Sequence, residues 1–139
     1  MSASATGRVL RPAEMTHVDR GGGARTVPLV TRGIGSTSML NGITRFEPGA
    51  SIPLHSHNCE ESVMVLEGEC IAVMGEEEYL LGPEDTTFIP SGIPHRFINA
   101  SDTKPAKIFW IYASVEATRT LIATGETHPI AAEHARTRG

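Results

Sequence analysis

Residues 49–68 read GASIPLHSHNCEESVMVLEG, and the order of residue types in this stretch decides the fold. Its second half, residues 62–66, is a short apolar run closed by Glu67-Gly68, a turn pair that predicts a hairpin. Its first half carries His55-Ser56-His57 in a strand or at a strand end. An extended chain points residues i and i+2 to the same side, so both imidazoles face one place. Glu61 follows His57 by four residues, an even number, and by parity joins that side.

Working outward, apolar runs keep alternating with turn residues. Strands are expected at residues 38–46, 62–66, 69–74, 78–81, 86–89, 95–99 and 107–113. Between them stand Glu47-Pro48-Gly49, Gly75-Glu76, Gly82-Pro83-Glu84-Asp85 and Pro90-Ser91-Gly92-Ile93-Pro94. The two prolines of the last loop fix two φ angles and stiffen the approach to His95. Residues 118–124 fit either a short helix or an edge strand, and helix is otherwise confined to the ends. About eight strands with evenly spaced turns predict an all-β protein, a sandwich or a jelly-roll barrel.

At 139 residues the chain is the size of one domain, large enough to bury a real core. Residues 1–26 are expected to be an N-terminal arm ending in a flexible Gly-rich link, residues 27–124 the barrel, and residues 125–139 a C-terminal tail that frays from Glu133 onward. The net charge of −4 and a 5% aromatic share argue against a nucleic-acid groove. No apolar run approaches the ~18 residues that span a bilayer, and the polar opening residues lack a signal core, so no membrane partner is expected. Two cysteines, Cys59 and Cys70, are no disulfide framework and are expected as free thiols in the cytoplasm.

His95 lies 34 residues beyond Glu61, at the head of a strand directly after the stiff loop. Three imidazoles and one carboxylate make an N3O donor set. With its spaced glycines and prolines, this pattern resembles the cupin superfamily. The first cupin motif is met at every spacing by Gly49, His55, His57, Glu61 and Gly68. The second is met by Pro90, Gly92, His95 and Asn99, while its opening glycine is replaced by Glu84. The resemblance covers roughly residues 38–113. It implies a jelly-roll β-barrel (a double-stranded β-helix) with His55, His57, Glu61 and His95 as ligands of one divalent metal ion. It also makes Gly49 and Gly68 turn glycines and Asn99 a structural hydrogen bonder. Glu61 is preferred to Glu60 because only Glu61 keeps the gap to Gly68 and the parity with His57. A glutamate forced into a glycine's positive-φ turn at position 84 would be strained.

Four ligands on an octahedral ion leave two open positions, which favours Fe, Mn or Ni, with Zn possible. A divalent ion with one carboxylate carries a net positive charge and favours a small, oxygen-rich anionic substrate. The expected function is that of a metal-dependent enzyme, either a dioxygenase or an isomerase or decarboxylase; the alternative is a non-catalytic small-ligand-binding or sensor protein. A metal that only braces the barrel is a third reading. Arg45 and Tyr112 are the candidate catalytic residues. Arg96 is a weaker candidate because its parity is opposite to that of His95, and Cys59 is either a soft extra ligand or a small buried residue. Residues 108–112, apolar on both faces, predict a homodimer, since a barrel interior covers only one face.

Overall fold

A computed structural model describes residues 6–134; the expected fraying of the tail falls, for residues 135–139, outside them. The strands are β1 (Val18–Gly21), β2 (Ala24–Pro28), β3 (Leu40–Phe46), β4 (His55–His57), β5 (Glu61–Glu67), β6 (Cys70–Met74), β7 (Glu77–Leu81), β8 (Thr86–Ile89), β9 (His95–Asn99), β10 (Ala106–Tyr112), β11 (Thr118–Leu121) and β12 (Thr127–Pro129). A short helix, α1 (Ile130–His134), follows the last strand. They form two six-stranded antiparallel sheets, ordered β1-β2-β3-β10-β5-β8 and β12-β11-β4-β9-β6-β7. No helix among the described residues is long and apolar enough to cross a membrane.

The alternation seen in the sequence becomes burial. In β10, Ala106, Ile108, Trp110 and Tyr112 are buried, and the residues between them are half-buried. In β3, Leu40, Gly42, Thr44 and Phe46 face inward. The inward residues of the two sheets meet in one core that includes Phe46, Val63, Val65, Ile89, Phe97 and Ile108. Asn99 braces one end, donating from Nδ2 to the carbonyls of Glu47 (3.1 Å) and Lys104 (2.8 Å). Residues 118–124 resolve into the strand β11 and a turn.

Both ends depart from the expected arm, link and tail. The three glycines at 21–23 all have positive φ and form the tip of a hairpin, not a flexible link. That hairpin extends the first sheet, with β2 paired along β3. At the other end, β12 pairs with β11, and Ile130 and Glu133 are buried. Val18 and Ile130 are buried where the sequence suggested solvent, and Ile130 joins the core.

Candidate metal centre

Two strands deliver the histidines. His55 and His57 are the two inward residues of β4, and His95 opens β9 directly opposite His55 in the register. All three are buried, and their ligand atoms lie within 4.8 Å of one another. Glu61, the first residue of β5, is also buried and stands against two of them. Its Oε1 is 3.0 Å from His95 Nε2 and 3.3 Å from His57 Nε2. Glu60 is exposed, as parity required.

The other ring nitrogens are committed to backbone carbonyls. Nδ1 of His55 faces Pro53 O (2.7 Å), that of His57 faces Thr118 O (2.9 Å), and that of His95 faces Ile93 O (2.8 Å). A carbonyl only accepts, so each Nδ1 donates and each Nε2 points into the site. His95 Nε2 is within hydrogen-bond distance of Glu61 Oε1, while His57 Nε2 has no well-aligned partner although it is buried. With their Nε2 atoms deprotonated, the three imidazoles and the carboxylate would make a donor set that fits a divalent metal.

Burial works against ionising Glu61, but hydrogen bonds to His57 and His95, and then the electrostatic attraction of those two imidazoles, outweigh it and hold the carboxyl at about 2. Burial, then the Arg119 guanidinium and the other two imidazoles, push the pKa of His55 far down, so it stays a neutral donor.

Beside His55 and His95 is a narrow cavity lined by Thr44, Val63, Phe97, Trp110 and Tyr112 among others, with about 20 Å³ of free space. That is room for one water. Tyr112 packs edge-on against His57, ring centroids 4.6 Å apart. Burial, then the nearby Glu61 carboxylate, raise its pKa well above the usual phenol value, so it is a neutral hydroxyl.

Arg45 is not in the site. It is exposed on the outer face of β3, between Arg25 and Lys107 in the register, because the inward parity belongs to Thr44 and Phe46. Arg96 likewise points away from the histidines. Cys59 is half-buried and stands outside the histidine cluster. The arginines that do reach the cavity are Arg20 of β1 and Arg119 of β11, opposite His57 in the register. Both approach Glu133 of α1, Arg119 Nε at 2.8 Å and Arg20 Nη2 at 3.2 Å. Sequence reading missed all three residues, which lie on segments too short to show periodicity. The signal available was parity within residues 118–121, where Arg119 takes the inward position.

Comparison with known proteins places this geometry. The family model described as Cupin domain matches residues 42–112. Polyketide synthase CurC of Streptomyces cyaneus is 34% identical over 91 residues, which are 65% of this chain and 58% of that protein, so the match spans little more than half of the relative. Among solved structures, polyketide cyclase RemF of Streptomyces resistomycificus superposes with a TM-score of 0.72 at 17% identity, over 96% of this chain and 100% of that one. A salicylate 1,2-dioxygenase of Pseudoaminobacter salicylatoxidans gives 0.61 at 18% identity, over 69% of this chain and 26% of that one.

Proposed function

Since the chain belongs to the cupin family, we propose that it is a metal-dependent enzyme acting on a small oxygen-rich anion, of the phenolic or poly-ketone kind processed in aromatic polyketide assembly. The observation that carries the metal is the convergence of three buried imidazoles, with ligand atoms within 4.8 Å of one another, and of one carboxylate set against two of them. His55, His57, Glu61 and His95 would hold the ion, with Fe, Mn or Ni favoured over Zn. When bound, it supplies Lewis acidity towards an enolate or phenolate oxygen, and in the iron or nickel forms a centre for dioxygen chemistry.

The residues of the chain do the rest. The Nδ1–carbonyl bonds fix the imidazoles in place. Trp110 and Phe97 form an apolar wall suited to an aromatic or extended ketone skeleton, and they exclude water from it. Tyr112, neutral and buried beside His57, is the catalytic candidate that remains: its hydroxyl can donate to a substrate oxygen. The polyketide class is supported by CurC in sequence and by RemF over its whole length in structure.

The enzyme works as a homodimer in the cytoplasm, with its two thiols free. The apolar outer face of the first sheet supports the dimer: Phe109 stands between Ile43 and Met64 in the register, and Phe88 beside them is 62% exposed.

The test is metal analysis of protein purified without chelating resin, followed by Fe(II) reconstitution under dioxygen with a panel of polyhydroxylated aromatic acids. Near-stoichiometric metal and turnover or oxygen uptake with at least one aromatic acid are expected. Protein that takes up no divalent metal would refute the reading.

A further inference from the structure

Arg119 is buried at 4% exposure, faces the cavity and sits opposite His57. Its Nε lies 2.8 Å from Glu133 Oε2, yet neither its Nε nor its Nη1 completes a hydrogen bond of good angle. Glu133 Oε1 is in the same condition, although Arg20 Nη2 is 3.2 Å away. Both guanidinium groups approach the same carboxylate, and Arg119 Nε and Nη1 are left as buried donors without a well-aligned acceptor on the cavity wall. Buried polar atoms left in this state favour any acceptor of better geometry. The carboxylate comes from α1, five residues at the end of the described chain, anchored by Ile130 and one short strand pair. The free space of about 20 Å³ admits no organic molecule, so a ligand enters only if something leaves.

We propose that Arg119, seconded by Arg20, docks an anionic oxygen group of the ligand, a carboxylate or a phenolate, and that Glu133 is an internal stand-in which the ligand displaces. This deepens the reading above and rests on it for the part of the ligand that faces the histidines. The Arg119 fork suits a planar carboxylate, which takes two parallel N–H donors. Release of Glu133 frees α1 and opens the mouth, so recognition of the anion and access to the cavity become one event.

The experiment is calorimetric titration of the full chain with sodium benzoate, as purified and again after metal removal with EDTA. Glu133→Gln is expected to bind benzoate at least tenfold more tightly than the unaltered protein in both states. The double variant Arg119→Gln, Glu133→Gln should lose that gain. In the unaltered protein, saturating benzoate should speed amide hydrogen exchange across residues 127–134, a readout that does not depend on any variant folding. Equal affinities for the unaltered protein and Glu133→Gln, tight binding that survives in the double variant, unchanged or slower exchange, or no benzoate binding at all would each overturn the proposal. Benzoate binding of the expected kind in a protein that takes up no metal keeps this inference and removes the metal-centred one; normal metal uptake without Arg119-dependent binding does the reverse.

Discussion

Glu84 is the one non-glycine residue among those described with a positive φ, 76°. The turn is unshifted: Glu84 N donates to Val65 O at 2.7 Å and Asp85 N to Gly82 O at 3.0 Å, so Glu84 itself occupies the place of the family's glycine. The left-handed region costs such a residue about 1–2 kcal/mol, while glycine costs roughly 0.5–1 kcal/mol through the entropy of the unfolded chain. Glu84→Gly should therefore stabilise by up to about 1 kcal/mol, raising Tm by about 3 °C in calorimetry with metal content unchanged. The neighbouring carboxylates give a sharper contrast. Glu61→Gln removes a buried charge beside two imidazoles and should weaken metal binding strongly, whereas Glu60→Gln changes an exposed side chain and should leave it unaltered. His55→Ala, His57→Ala and His95→Ala should each lower metal affinity by more than about 100-fold, beyond the loss expected for an outer partner of a ligand. Elemental analysis of the five variants after dialysis against a metal buffer checks the set.

At the scale of the elements, the tightest fit is between β3 and β10. Gly42 faces Trp110 in the register, and a Cβ there would meet Trp110 Cζ2 and the carbonyl oxygen of Val27, both at 2.5 Å. One obstacle is backbone and the other a buried ring whose Nε1 donates to Thr44 Oγ1 at 2.8 Å, so neither yields cheaply. Gly42→Ala should cost about 1–3 kcal/mol, read as a lowered urea midpoint. The same strand shows what the sequence left undecided. Its two faces, Leu40-Gly42-Thr44-Phe46 and Asn41-Ile43-Arg45, each mix polar with apolar residues, so periodicity revealed a strand but not its inward side. That is why Arg45 was assigned to the site and Thr44 was not. β4, β5 and β9 were legible because His55, His57, Glu61 and His95 stand at inward positions with the spacing of the family motif. The hairpin at residues 18–28 was not, because three glycines serve a mobile link and a positive-φ turn equally well.

For the whole molecule, the outer face of the first sheet predicts the assembly. Met64, Phe109 and Ile111 are half-buried there, and Leu66 and Phe88 are exposed, in a patch flanked by Arg25, Arg45 and Lys107. Light scattering should give about twice the chain mass of 14.9 kDa, and Phe109→Glu should return it to the monomer value. The family resemblance made the barrel and the buried cluster of His55, His57 and His95 readable in advance. The closure of its mouth was not, because Arg20, Arg119 and Glu133 are brought together only by tertiary packing of both ends of the chain. The strand order has a consequence for the life of the protein before it is complete. β10 lies between β3 and β5, with Ala106 opposite Phe46, Tyr112 opposite Leu40 and Lys107 opposite Glu67, so two ladders of the first sheet wait for chain made 40 residues or more later (107 − 67 = 40). His95 likewise meets His55 only after β5, β6, β7 and β8 have been made. Such remote pairings pay their loop-closure entropy early and place the protein among slow folders, in the range of about milliseconds to seconds. During synthesis at about 5–20 residues per second, His55 and His57 leave the ribosome seconds before their partner exists. A half-made chain can therefore offer cellular metals at most His55, His57 and Glu61, without His95 and without the barrel that would orient them.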